Sequence, residues 1–205
     1  MTKPMDEIKD RVAAVVVTYN RAEMLRQCLV SLQKQTMPCD ILVVDNASTD
    51  DTQALVQRAA QHDASIFYRN TGENLGGAGG FNFGMRWAVE AGYAFVWVMD
   101  DDCFPEPVAL EKLLDADRLL QGEYGWLSSV ALWTDGRECR MNRPKIKKNF
   151  YDRIELLRDG ILLAEQATFV SLFLKAETIR AVGLPVKEFF IWGDDLSLIH
   201  ISEPT

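Results

Sequence analysis

No stretch of this chain approaches the roughly 20 consecutive apolar residues that a membrane-crossing helix needs. The N-terminal MTKPMDEIKD also lacks the apolar core of a secretory leader. A cytoplasmic protein is expected. Cationic residues are in short supply, 22 Lys and Arg against 30 Asp and Glu, for a formal charge of −8. That shortage argues against a nucleic-acid binder, whose affinity rests on clustered Lys and Arg. Cysteine is sparse too. Cys28, Cys39, Cys103 and Cys139 show no CxxC spacing, which speaks against a zinc site and a secreted disulfide framework. Repeats, low-complexity tracts and interdomain linkers are missing, and 205 residues suit one domain with a substantial core.

What is present alternates. RVAAVVVTYN is a continuous β-branched run, the pattern of a strand buried on both faces. Asn20 can cap the helix that follows, with Glu23 at the capping-box position, and Leu25, Cys28, Leu29 and Leu32 form its buried stripe. DILVVDN reads as a second strand, STDDTQALVQRAAQ as a helix opened by small polar residues, and SIFYRN as a third strand. A glycine-rich loop and a helix over roughly 79–91 follow, then YAFVWVMD as the fourth strand and a helix led by Pro107. This succession predicts an α/β fold, a mostly parallel central sheet with helices on both faces. In the second half GWLSSVALW reads as a strand, 134–149 as a polar loop, and 161–185 as strands and a short helix ending at Gly183.

In parallel sheets, ligands collect beyond the C-terminal strand ends. The polar residues fall there: Thr18, Tyr19, Asn20 and Arg21; Asp45 and Asn46; Asn70 to Gly80; Asp100, Asp101 and Asp102. Three adjacent aspartates at the end of an apolar strand repel one another, so a positive partner is expected. Asp100 and Asp102, at i and i+2, can face one hard cation, Mg2+ or Mn2+, shared with a substrate's phosphates, while Asp101 turns toward structural partners. A solvated acidic strand end is the plainer alternative. NLGGAGGFNFG offers backbone amides at Gly76, Gly77, Gly79 and Gly80 for an anion, or simply tight helix–sheet packing. It is neither a dinucleotide fingerprint nor a P-loop, since Asn82 stands where a third glycine would fall and no GK[ST] follows. Asp45 can accept from a nucleobase imide or cap its own turn. In FFIWGDDLS, Asp194 and Asp195 sit among aromatics, where a carboxylate can serve as general base, and Trp192 offers a face for a sugar ring. Cys103 is a lesser candidate for a direct role, and His62 is expected to be solvated.

Taken in order, VVVTYNR, VVDNASTDDT, ENLGGAGGFNFG, MDDD and VGLPVKEFFIWGDD resemble the inverting glycosyltransferases of family 2 with a GT-A fold, over roughly 11–196. The glycine segment and FFIWGDD look most like the branch holding galactofuranosyl- and rhamnosyltransferases. The resemblance implies a nucleotide pocket at Thr18–Arg21, a base contact at Asp45, and donor contacts at Asn74, the 76–80 glycines, Asp100 and Asp101. It further implies Asp100 and Asp102 as DxD metal ligands for Mg2+ or Mn2+, Asp195 as catalytic base and Asp194 as its support. The implied partners are a UDP- or dTDP-linked sugar and a glycan or lipid-linked acceptor.

The expected organisation is a leader at 1–10, a catalytic domain at 11–196 and an atypical tail at 197–205, foreign to a truncated domain. The family often has Glu two residues past the base, where Ser197 stands, and His200 does not match its metal-ligand pattern. Two rivals stand beside a transferase: a fragment that binds a sugar nucleotide without turnover, and a nucleotidyltransferase. TYNRAE after the first strand, in place of a basic glycine-rich loop, counts against the second. The basic stretch 137–148 can touch an anionic lipid-linked acceptor or the inner membrane face, or be merely solvated.

Overall fold

The structure, a computed structural model, describes residues 11–190. The leader 1–10, Trp192, Asp194, Asp195, His200 and the tail 197–205 therefore lie outside the described residues.

Strands and helices alternate as β1 (Val12–Thr18), α1 (Ala22–Gln33), β2 (Asp40–Asp45), α2 (Thr52–His62), β3 (Ile66–Asn70), α3 (Gly76–Glu90), β4 (Phe95–Asp100) and α4 (Ala109–Leu119). Short strands β5 (Leu127–Ser128), β6 (Lys145–Ile146), β7 (Ala164–Gln166) and β8 (Leu172–Lys175) follow, then α5 (Ala176–Val182). The main sheet runs β3-β2-β1-β4-β8-β5. Its first four strands are parallel, and β8 joins antiparallel between β4 and β5.

The unbroken apolar run of β1 reflects burial from two sides. Ala13, Val15 and Val17 pack with Phe81, Met85 and Ala88 of α3 and Ile179 of α5. Val12, Ala14 and Val16 pack with the stripe Leu25, Cys28, Leu29 and Leu32 of α1, Val56 of α2, and Leu110 and Leu113 of α4. Each Val, Leu, Ile, Phe or Met among them contributes about 1.5–3 kcal/mol on removal from water, which makes this layered core the main stabilising term. Because α1 and α2 lie on one face and α3 crosses on the other, chain direction across the sheet reverses between β1 and β4. A crevice opens at such a reversal, beyond the strand ends.

Several local expectations need correction. Helix α1 begins at Ala22, and Asn20 does not cap it; Glu23 instead bonds Arg26 and Gln27. Helix α3 begins at Gly76, so the glycines form its first turns and not a loop. Pro107 precedes α4 by two residues. Of GWLSSVALW, Leu127–Ser128 is strand, paired with β8, and Leu132 makes an isolated bridge to Glu138. The 134–149 stretch is not wholly loop, since β6 pairs with β7.

Candidate active site

The strand register places the polar residues in one row. Thr18 stands opposite Asp45, Asp45 opposite Asn70, and Val17 opposite Asp100. The C-terminal ends of four strands thus meet at a single edge, with the β1–β4 crevice in its middle.

The turn after β1 is fastened to the turn after β2. Asn20 adopts a left-handed backbone (φ 53°), which asparagine tolerates better than most residues. Its amide donates to Ser48 Oγ at 2.8 Å, and its Oδ1 accepts the Thr49 amide at 2.7 Å. The Ala22 amide donates to Asp50 Oδ2 at 3.1 Å. Fixed in this way, the turn sends Arg21 across the crevice to the acidic triplet. Its Nη1 lies 2.8 Å from Asp102 Oδ2 and 3.4 Å from Asp101 Oδ1.

Asp101 is buried and accepts the Thr18 hydroxyl at 2.7 Å. Burial pushes its carboxyl above the usual value, against the Thr18 hydroxyl and the Arg21 charge, with Asp102 adding repulsion. The Asp101 carboxylate in turn raises the Arg21 guanidinium. The cation that the three aspartates demand is thus in part Arg21. Asp100 is half-buried at the strand end and Asp102 is exposed. Beside both opens a cleft of 2110 Å3, running along α4 toward residues 126–164. Cys103 is pushed up to about 12 by burial, with Asp100 and Asp102 adding to it, so its thiol stays protonated and inert near neutral pH.

Asp45 is fully buried and engaged within the fold. Its Oδ1 accepts the Ser48 amide at 2.8 Å, and its Oδ2 accepts the Tyr68 hydroxyl at 2.6 Å and Asn70 Nδ2 at 3.4 Å. Of the two roles open to it, turn capping is the one seen. Burial and this bond to Asp45 push Tyr68 up to about 12. Asn46 donates to the Gly76 carbonyl at 2.9 Å, and its Oδ1 is buried without a partner among the described residues.

The glycines of α3 have distinct packing reasons. A Cβ on Gly80 would stand 2.5 Å from Val17 Cγ1, and one on Gly84 would overlap Val15 Cγ1 and come within 3.0 Å of Val44 Cγ2. On Gly79 it would meet Leu75 Cβ at 2.5 Å, and on Gly76 it would overlap the Phe190 carbonyl. Gly77 is the least crowded of the five, with the Phe190 oxygen 3.9 Å away. Asn74 Oδ1 accepts the Gly76 amide at 2.9 Å, and the Phe190 carbonyl accepts the Ala78 amide at 3.1 Å. The start of α3 is therefore occupied by the chain itself, through Phe190 at the beginning of FFIWGDD.

Tyr19 is exposed at the edge. His62 is exposed on α2, as expected. In the basic stretch Arg143 pairs with Glu138, Lys145 with Glu165 and Arg137 with Asp135, leaving Arg140, Lys147 and Lys148 outside any ion pair among the described residues. The roles of Ser48, Thr49, Asp50 and Tyr68 were not foreseen. The small polar run ASTDD signals Asx- and Ser/Thr-type turn bonds, but it does not say which distant amides they serve.

A metal ion can be tested against these donors. Asp100 and Asp102 supply hard carboxylate oxygens at a solvent-open strand end, which suits Mg2+ or Mn2+. No group of three or more His, Cys, Asp or Glu ligands exists among the described residues. The protein alone thus offers a two-carboxylate site of the kind that such ions complete with substrate phosphates and water. The residues fit.

A profile of the family described as Glycosyl transferase family 2 matches residues 13–120. This chain belongs to glycosyl transferase family 2. Among curated family 2 relatives, the galactofuranosyltransferase GlfT1 of Mycolicibacterium smegmatis is 32% identical over 197 residues, 91% of this chain and 63% of that one. The undecaprenyl-phosphate mannosyltransferase of Micrococcus luteus is 38% identical over 110 residues, 53% of this chain and 44% of the relative. The chain thus matches only 44% to 63% of the length of these relatives. The solved mannosyltransferase PcManGT from Pyrobaculum calidifontis, in complex with GDP-Man and Mn2+, superposes with a TM-score of 0.63 at 24% identity, over 95% of this chain and 53% of that one. At that identity the likeness speaks for the fold, which is GT-A, as the resemblance of the motifs implied. No helix among the described residues is long and apolar enough to cross a membrane.

Proposed function

We propose that this chain is the catalytic core of an inverting, metal-dependent glycosyltransferase that moves a sugar from a nucleoside diphosphate to a hydroxyl of a glycan or lipid-linked acceptor. The observation that carries the reading is the row Thr18, Asp45, Asn70 and Asp100 at one sheet edge, with exposed Asp102 beside an open cleft. Thr18 to Arg21 bound the nucleotide side, and Tyr19 is exposed there to meet a base or ribose. Asp45 acts on that pocket by holding Tyr68 and the turn at Ser48 in place. Asn74 and the 76–80 glycines shape the wall behind the donor sugar. Asp100 and Asp102 would hold Mg2+ or Mn2+, whose charge offsets that developing on the leaving diphosphate.

Asp195 takes the proton from the acceptor hydroxyl as its oxygen attacks the anomeric carbon opposite the leaving group. The C–O bond to the diphosphate breaks as the new glycosidic bond forms, so the configuration inverts. Asp194 orients that base and Trp192 stacks on the acceptor ring. The relative named for undecaprenyl phosphate supports a lipid-linked acceptor. So do the exposed Arg140, Lys147 and Lys148, whose charges suit an anionic headgroup at the inner membrane face.

The test is release of nucleoside diphosphate from UDP-, dTDP- and GDP-linked sugars by the wild type and by Asp195→Asn. Loss of the base lowers turnover about 100-fold or more, while donor affinity should stay within about twofold. Equal turnover in the two proteins would remove Asp195 from the reaction. Donor binding without turnover in the wild type would leave a binding fragment.

A further inference from the structure

Arg21 stands between two carboxylates of unlike character. Asp101, 4% exposed at its side chain, is fixed by the Thr18 hydroxyl; Asp102, 50% exposed, is held by Arg21 at 2.8 Å. The base of the Arg21 side chain is equally fixed, because Asn20 and Ala22 on either side are bonded to Ser48, Thr49 and Asp50. Only the guanidinium and Asp102 are at liberty to exchange partners, and both face the 560 Å3 hollow lined by Asn20, Glu23, Met24 and Asp50.

We infer that Arg21 is a positioning residue that makes metal and donor bind together, by holding Asp102 until a diphosphate arrives. The inference rests on the assignment of Asp100 and Asp102 as the metal site. A bare divalent ion approaching these carboxylates meets a like charge and must break a charge-assisted hydrogen bond. An ion already paired with a sugar nucleotide's diphosphate has its charge cancelled, and one paired with pyrophosphate is net negative, so the repulsion is gone and the phosphate oxygens attract the same guanidinium. Arg21 then leaves Asp102 for a diphosphate oxygen while staying beside Asp101, and Asp102 is released to the ion. Such an arrangement weakens binding of the ion alone, strengthens binding of the ion–diphosphate pair, and makes each ligand raise the affinity for the other by the same factor. It also accounts for an arginine at this place, since a forked guanidinium can hold one carboxylate while exchanging the other for phosphate.

The test follows free Mn2+ by electron paramagnetic resonance, with the ion alone and with inorganic pyrophosphate as a base-independent probe. Wild type, Arg21→Gln, Arg21→Lys and Asp102→Ala are compared. The Arg21–Asp102 pair is exposed and carries little of the fold's stability, and buried Asp101 keeps the Thr18 hydroxyl when Arg21 is replaced, so the Arg21 variants should remain folded. Arg21→Gln should bind Mn2+ alone about tenfold more tightly and lose most of the strengthening that pyrophosphate gives the wild type. Arg21→Lys, which keeps the charge but not the fork, should bind Mn2+ alone about as the wild type does and lose part of the strengthening by pyrophosphate. Unchanged or weaker Mn2+ affinity in Arg21→Gln, with Asp102→Ala defective, would overturn the role of Arg21 alone. Wild-type Mn2+ binding by Asp102→Ala would overturn the metal site, and the inference with it.

Discussion

One carboxylate oxygen of Asp50 accepts the Ala22 amide at the start of α1, and the other accepts the Thr52 amide and hydroxyl at the start of α2. A single side chain thus does the work of two N-caps. Asp50→Ala should cost about 1–2 kcal/mol of stability, read as a lowered urea midpoint. Burial alone pushes the Asp50 carboxyl up, but the Thr52 hydroxyl and the Ala22 and Thr52 amides outweigh it and hold it below 3.8. A carboxyl lowered in the folded state contributes stability above its unfolded pKa and loses it as pH falls through the folded value. The gap between wild type and Asp50→Ala should therefore be full at pH 7 and close below about pH 3.8; a gap that persists unchanged into acid would deny Asp50 this part. The sequence marked Asn20 as the cap because a capping residue is normally local to its helix. The true acceptor lies 28 residues on, and no short-range pattern reveals that.

Helix α3 shows what glycine costs and permits at the scale of an element. Alanine is a better helix former than glycine by about 1 kcal/mol, so Gly84→Ala would stabilise α3 if the helix stood alone. It does not: the added methyl would run into Val15 and Val44 of the sheet. Overpacking of that kind costs about 1–3 kcal/mol and shifts the helix outward, so the variant should be net destabilised in urea unfolding. A stability equal to or above the wild type would show that α3 is not pressed against β1. The elements themselves were largely readable from sequence. Strands β1, β2 and β4 carry continuous apolar runs and α1 carries a clean apolar stripe, because they are buried in the way that produces those patterns; β3, buried only at Ile66, shows the weaker signal. The start of α3, the bounds of β5 and the two-residue β6 were not. Glycines that let a helix lie close to a sheet look like a loop in a linear string, and two- or three-residue strands carry no period to detect.

For the molecule as a whole, the sheet edge was legible because chemistry-bearing residues cluster at strand ends, and the parallel fold turns that clustering into a place. What the string of residues did not disclose is how much of the edge is already spoken for: Asp45 by Ser48 and Tyr68, Asp101 by Thr18, and Asp102 by Arg21. Of the acidic groups placed at the edge, Asp102 is the exposed one, and a donor site stands or falls with it. The most direct measurement is calorimetric titration of UDP, dTDP and GDP into the wild type and Asp102→Ala, first with Mn2+ and then with EDTA. One of the three nucleotides should bind only with Mn2+, and Asp102→Ala should lose that binding while unfolding at nearly the wild-type temperature. Binding that survives EDTA or the loss of Asp102, or none of any nucleotide, would contradict a metal-assisted donor site at this edge.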